Sequence, residues 1–130
     1  MKHITTTTTI LYVKNQQLSA DFYTKLFRKE PGLNVPGMTE FEISDTCRIG
    51  LMPYSSIESI LSNHTPKPSL GSGIARCEIY LYVTNIEHEF DNAVRIGAKL
   101  ISAIADRDWG DKACYFSDPD GHIIAFAERL

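Results

Sequence analysis

The sequence predicts an α+β fold of two βαβββ modules whose sheets curve together into an incomplete, concave mixed β-barrel with the helices on the outside. Three observations lead there. Leu11-Tyr12-Val13-Lys14-Asn15 returns 70 residues later as Leu81-Tyr82-Val83-Thr84-Asn85, an internal repeat. Each copy closes a β-branched, aromatic-rich run and opens a stretch with apolar residues at helical spacing. Each helical stretch is then followed by several short strand-like runs, an order that lays a helix on one face of an antiparallel sheet.

The first strand is read over Thr5 to Val13. Asn15 suits a helix N-cap, because its side-chain oxygen can take a backbone N–H of the first turn. Leu18, Phe22 and Leu26, with Tyr23 and Phe27 beside them, make one apolar face on a helix ending near Arg28. A strand near Leu33 is only weakly signalled, whereas Glu40 to Ser44 and Arg48 to Met52 alternate clearly. Pro53 to Gly73, with three prolines, six serines and two glycines, has the composition of a connection, and Ile57, Ile60 and Leu61 give it a short helical stretch.

In the second half a strand over Cys77 to Val83 leads to Asn85, again an N-cap, and to a weaker apolar set, Ile86, Phe90, Ala93 and Val94. Gly97 is placed to end that helix in a left-handed cap. Strands follow over Lys99 to Ala103, Lys112 to Ser117 and His122 to Glu128. Asp118-Pro119-Asp120-Gly121 is a type I turn sequence that joins the last two as a hairpin. The expected organisation is one domain of 130 residues, with a module at about 3–53, a connection at about 54–73 and a second module at about 74–130.

At 43% hydrophobic and 22% charged residues the chain has a soluble globular composition and length enough for a core without staples. No apolar run is long enough for a membrane helix. Met1-Lys2-His3-Ile4 and the threonines after it lack the apolar region of a secretory signal, so a cytoplasmic location is expected. A net charge of −3 with scattered Lys and Arg argues against nucleic acid as a partner. Cys47, Cys77 and Cys114, 30 and 37 residues apart, form no Cys-x-x-Cys pair and are read as reduced, mostly buried thiols.

Strand alternation divides the side chains between two faces. If Leu11, Val13, Ile49, Leu51, Ile79, Leu81, Ile124 and Phe126 pack on the helices, the other residues of those strands line the concave side. Those are Thr6, Thr8, Ile10 and Tyr12, then Arg48, Gly50 and Met52. In the second module they are Glu78, Tyr80 and Tyr82, then Ile123, Ala125 and Ala127.

The repeated Leu-Tyr-Val-x-Asn, Phe22-Tyr23, Gly97-Ala98, Trp109-Gly110-Asp111 and Asp118-Pro119-Asp120-Gly121-His122, in this order over about residues 8–128, resemble the vicinal oxygen chelate superfamily. It includes glyoxalase I, extradiol dioxygenases and the fosfomycin and bleomycin resistance proteins. The resemblance implies paired βαβββ modules and, in the superfamily's enzymes, a divalent metal held by His, Gln or Glu on the first and last strands of each module. Those positions are Thr8, Gly50, Glu78 and Ala125 here. A metal of the Zn, Ni, Mn or Fe type needs three or more N, O or S donors from the protein. Gly50 and Ala125 have none and Thr8 offers only a hydroxyl, so no metal and no cofactor is expected. His3, His64, His88 and His122 are read as surface or structural histidines.

The expected function is therefore metal-free binding of a small, partly aromatic or amphipathic molecule, sequestered or carried in a concave crevice, as in the bleomycin-resistance-like branch. The candidate ligand-binding residues are Thr8, Ile10, Tyr12, Arg48, Met52, Glu78, Tyr80 and Trp109. Glu78 and Arg48 are expected to pair or to grip a polar group of the ligand, and Trp109, in the charged loop Asp106 to Asp111, to stack on it. Similar folds are homodimers, so a second copy and a small-molecule ligand are the expected partners, with no membrane surface. Two readings compete. One is a glyoxalase-like lyase or isomerase with an atypical metal site on Glu78 or metal-free acid–base chemistry. The other is an interaction module without a ligand. Cys114 has no cation beside it in the sequence and is read as structural, not nucleophilic.

Overall fold

The computed structural model describes residues 3–130; Met1 and Lys2, the start of the stretch read as carrying no secretory signal, lie outside them. The chain order is β1 (Thr7–Val13), α1 (Gln16–Phe27), β2 (Leu33–Val35), β3 (Met38–Ser44), β4 (Cys47–Pro53), α2 (Tyr54–Leu61) and a 3-10 turn at Pro68–Gly71. It continues with β5 (Glu78–Tyr82), α3 (Ile86–Arg95), β6 (Lys99–Asp106), β7 (Asp111–Ser117) and β8 (Ile123–Arg129). Two four-stranded sheets result, ordered β1-β4-β3-β2 and β5-β8-β7-β6. In each, the first strand of the module lies parallel to the last, and the remaining pairs are antiparallel. The α+β class and the duplicated βαβββ order are as predicted. The chain divides into two compact units, one ending at Ser72 and one spanning Gly73–Leu130.

In the first unit, Leu11, Val13, Ile49 and Leu51 turn to α1 and meet Tyr23, Leu26 and Phe41, all buried. Three rings form the centre of that core: Phe41 lies 5.8 Å from Phe27 and 6.4 Å from Tyr23 between centroids. Asn15 caps α1 by accepting the Leu18 N–H at 3.0 Å. Gln16 then clamps the β2–β3 hairpin, donating to the Val35 carbonyl and the Thr39 hydroxyl and accepting the Gly37 N–H. β2 is present although its sequence signal is weak. Its three residues are all exposed, so no inward alternation marks it.

The second unit repeats the plan. Ile124, Phe126, Cys114 and Phe116 pack on α3 with Ile86 and Ala93, and Phe90 lies 5.4 Å from Phe116. Asn85 accepts the His88 N–H, and Glu128 of β8 takes the free Ile86 N–H at 2.6 Å, where a carboxylate also suits the helix dipole. Gly97, at φ +86°, follows the last turn of α3 as expected. In the β7–β8 turn the Gly121 N–H returns to the Asp118 carbonyl at 3.0 Å, with Gly121 at φ +88°. Against that glycine runs the start of the unit: Gly73 donates to the Asp120 carbonyl at 3.2 Å.

Several expectations are corrected. Leu18 is 54% exposed and Val94 51% exposed. The α1 stripe against the sheet runs through Ser19, Ala20, Tyr23 and Leu26, and α3 turns Asn92 and Ala93 inward. Asn92 is acceptable there because its Oδ1 accepts from Arg95. β6 runs on to Asp106, because irregularities at Leu100–Ser102 and Ser102–Ala105 let it stay paired beyond Ala103. The three cysteines are free thiols as read, but only Cys114 is buried. Cys77, just before β5, is exposed, and Cys47 is half-buried at the start of β4.

Candidate functional site

Register places the candidate residues on the sheet faces turned away from the helices. On the first sheet Thr8, Ile10 and Tyr12 stand beside Arg48, Gly50 and Met52. A Cβ built on Gly50 would meet Met38 Sδ at 3.2 Å, Ile10 Cγ1 at 3.3 Å and Thr8 Cγ2 at 3.7 Å, which verifies the shared face. Arg48 is engaged by Glu40 and Glu42 of the neighbouring β3, each at 3.5 Å. Ladder pairing brings these two carboxylates alongside Arg48 within its own sheet. Hollows of the first unit lie elsewhere, one of about 230 Å³ between α1 and residues 30–34 and one of about 810 Å³ along residues 58–70.

On the second sheet Glu78, Tyr80 and Tyr82 pair with Ile123, Ala125 and Ala127. β7 adds Asp111, Ala113 and Tyr115 to the same face, and β8 adds Arg129 opposite Asp111. Ala125 and Ala127, expected to line an open hollow, are fully buried. Ala125 sits in register between Tyr80 and Tyr115.

A hydrogen-bonded aromatic array crosses this face. Tyr80 and Tyr82 both donate to Asp111 Oδ2, each at 2.7 Å. Trp109 Nε1–H donates to the Tyr80 oxygen at 2.9 Å. Tyr80 and Tyr82 meet edge to face at 5.5 Å, and the Arg129 guanidinium lies 4.4 Å from the centre of the Tyr82 ring. A tight return from β6 to β7, closed by Arg107 N–H to the Asp111 carbonyl at 2.7 Å, holds Trp109 in place. The Trp109 ring nevertheless stays 60% exposed.

Asp111 is the residue that the sequence reading missed. Counted among the charges of an exposed loop, it is the first residue of β7 and only 2% exposed. Its one sequence signal was its place directly after Trp109-Gly110. Arg107 is the second omission: it stacks over Tyr115 at 5.2 Å and donates to Ser102 Oγ, the Ala103 carbonyl and the Ala113 carbonyl. Glu78, the carboxylate singled out, is exposed and raises the Tyr115 pKa by its charge, though burial does so more.

The Tyr80 and Tyr82 hydroxyls hold the Asp111 carboxyl below the usual carboxylate range. Burial and the Asp111 hydrogen bond push the Tyr80 phenol up to about 12, against an opposing contribution from the Trp109 N–H. Tyr82 is raised too, chiefly by Asp111. Linkage then has two signs. The Tyr80 contribution to stability is complete below pH 10 and is lost as pH rises towards 12. The Asp111 contribution is present above the usual carboxylate range and disappears as pH falls through its depressed value. We expect ultraviolet difference titration to detect Tyr80 ionising near pH 12, and Asp111→Ala to return it towards 10. An unchanged titration in the variant would break the link to Asp111.

The metal positions of the resemblance do not fit a metal. The space beside Gly50 is filled by Met38 and Ile10, Ala125 carries a buried methyl group, and Thr8 has a neutral hydroxyl. Glu78 is the one good donor among the four. Among the described residues, potential ligand atoms of three His, Cys, Asp or Glu side chains converge in one place, Asp118, Asp120 and His122, within 4.8 Å of one another. There Asp118 Oδ1 accepts the Asp120 and His122 backbone N–H groups, which makes it the lock of the hairpin turn. Burial pushes the Cys114 thiol up to about 11, as a structural rather than nucleophilic cysteine requires. No helix of the described residues is long and apolar enough to cross a membrane.

Comparison with known proteins agrees with the architecture. Residues 6–130 match the model of the Glyoxalase-like domain. Uncharacterized proteins of Mycobacterium bovis and Mycobacterium tuberculosis are each 29% identical over 115 residues, 86% of this chain and 75% and 67% of theirs. A glyoxalase/bleomycin resistance protein/dioxygenase family enzyme from Burkholderia phytofirmans superposes with a TM-score of 0.79 at 14% identity, covering 95% of this chain and 97% of that one. A glyoxalase-related enzyme from Fulvimarina pelagi gives 0.78 at 17%, covering 94% and 86%. The repeated modules, the sheet order and the family match have one conclusion: the chain belongs to the glyoxalase-like family, on the fold of the vicinal oxygen chelate superfamily.

Proposed function

We propose that this protein is a metal-free small-molecule-binding member of its family, close in kind to the bleomycin-resistance-like branch. It sequesters or carries a small, partly aromatic or amphipathic ligand. The observation that carries the reading is the exposed Trp109 ring held by Tyr80 over a buried Asp111, a flat apolar surface whose orientation is fixed before any ligand arrives. The poverty of donors at Thr8, Gly50, Glu78 and Ala125 supports binding over metal-dependent turnover.

Glu78, Tyr80 and Trp109 are the contacts on the second sheet, and Thr8, Ile10, Tyr12, Arg48 and Met52 provide a corresponding face on the first. In this reading the 130 residues act as one domain, in the cytoplasm and as a homodimer, with neither nucleic acid nor membrane as partner.

Elemental analysis of the purified chain, joined to a small-molecule thermal-shift screen with Trp109 fluorescence as reporter, tests the reading. The expected result is no stoichiometric divalent metal and an aromatic ligand that raises the melting temperature. Trp109→Ala should weaken that ligand about tenfold, the effect of removing one well-placed aromatic anchor. Stoichiometric metal lost in Glu78→Gln would reverse the reading in favour of a metal-dependent lyase or isomerase.

A further inference from the structure

The hydrogen-bond directions of the aromatic array carry information about what it recognises. A phenol owns one proton, and an indole one N–H. The protons of Tyr80 and Tyr82 are both given to Asp111 Oδ2 at 2.7 Å, and the Trp109 N–H is given to the Tyr80 oxygen at 2.9 Å. Every proton of the three rings is thus committed within the array. What the hydroxyl of the half-exposed Tyr82 has left to offer is lone pairs, and Tyr80 keeps one more.

Asp111 cannot easily release those protons. Accepting the two hydroxyls favours its ionised form, and it is only 2% exposed, so a ligand does not reach it to compete. The nearby cations are directed elsewhere. Arg107 stacks over Tyr115 and turns Nη2 to Ser102, Ala103 and Ala113, with its Nε buried, and Arg129 lies on the Tyr82 ring in register with Asp111, whose charge offsets its own.

We infer that the array selects a flat aromatic molecule carrying a hydrogen-bond donor, an O–H or N–H group directed at the Tyr82 and Tyr80 oxygens, and rejects the same ring bearing only acceptors. This rests on the binding reading above and narrows it to a ligand class. Trp109 supplies the ring contact and the tyrosine oxygens supply the polarity. An acceptor-only ring meets lone pairs facing lone pairs, or must break a charge-assisted bond to Asp111.

Three probes share one ring and differ in this property: 2-naphthol has a donor, 2-methoxynaphthalene has an acceptor only, and 2-naphthoate is an anionic acceptor. Trp109 is the single tryptophan of the chain, so its indole N–H gives one nitrogen-15 resonance by which each probe is titrated. The expected result is that 2-naphthol binds about tenfold tighter than either of the others, the cost of one unmade hydrogen bond. Tyr82→Phe should bring that preference below about threefold. Asp111→Asn, whose amide donates to one hydroxyl and frees a tyrosine proton, should lower or reverse it.

Equal affinities for the three probes, with the indole resonance shifting in each titration, would overturn the polarity and leave the binding reading standing. Tighter binding of 2-naphthoate would assign recognition to Arg129 and overturn it equally. An indole resonance that no probe moves would remove the binding reading and the inference together. The wild-type comparison decides these outcomes even if a variant fails to fold.

Discussion

Phe41→Ala is expected to cost about 3–5 kcal/mol, a large share of the whole stability of an ordinary domain. Phe41 is fully buried on β3, opposite Ile49 of β4, and its ring lies against Phe27 and Tyr23 of α1. Truncation removes the contact surface that joins sheet to helix in the first unit. Because two of the facing groups are themselves rigid rings, the space cannot close by rotation of a flexible side chain. Urea unfolding followed by circular dichroism gives the value. Phe41→Leu, which keeps most of the volume, should lose less than half as much. A loss near 1 kcal/mol for alanine would mean that α1 does not seat on β3 as described.

Gly121→Ala should cost about 2–4 kcal/mol, the sum of two separable causes. At φ +88° an alanine occupies the left-handed region, and its Cβ would lie 3.0 Å from Gly73 Cα and 3.1 Å from the Gly73 carbonyl oxygen. Backbone atoms cannot swing aside as a long side chain can. Gly97 provides the control, since it has nearly the same φ, +86°, and nothing within 4 Å of a built Cβ. Gly97→Ala should therefore lose only about 1 kcal/mol. Unfolding free energies of both variants, measured in one buffer, isolate the steric part. Equal losses would show that Gly73 does not run against the last hairpin turn.

The architecture was largely legible because it is written in repeated local signals. Asn15 and Asn85 cap the two helices, Gly97 ends the second, and the alternation of Leu11 and Val13 or Ile124 and Phe126 identifies the inner faces. Where packing chose between near-equal helix faces, the pattern misled: Leu18 and Val94 were counted as core, while Ser19 and Asn92 hold those places. β2 was weak for a related reason, since an exposed edge strand of three residues needs no inward side chain.

The candidate site was half legible. Alternation found Tyr80 and Tyr82, and composition found Trp109. Asp111 was hidden because a carboxylate between Gly110 and Lys112 reads as a loop charge, and burial by two distant tyrosines is a tertiary fact. Arg48 was conspicuous as a cation, while the ion pairs it makes with Glu40 and Glu42 of the neighbouring strand were not signalled, because they depend on the β3–β4 register.

The parallel seating of β1 on β4, and of β5 on β8, governs the order of events during synthesis. Thr7 finds its neighbour only at Cys47, so β1 has its native partner only once the chain up to Pro53 has been made. The β3–β4 and β7–β8 hairpins need no such delay. Each half is therefore completed by docking its first strand onto its last, the pairing with the larger loop-closure cost in each sheet.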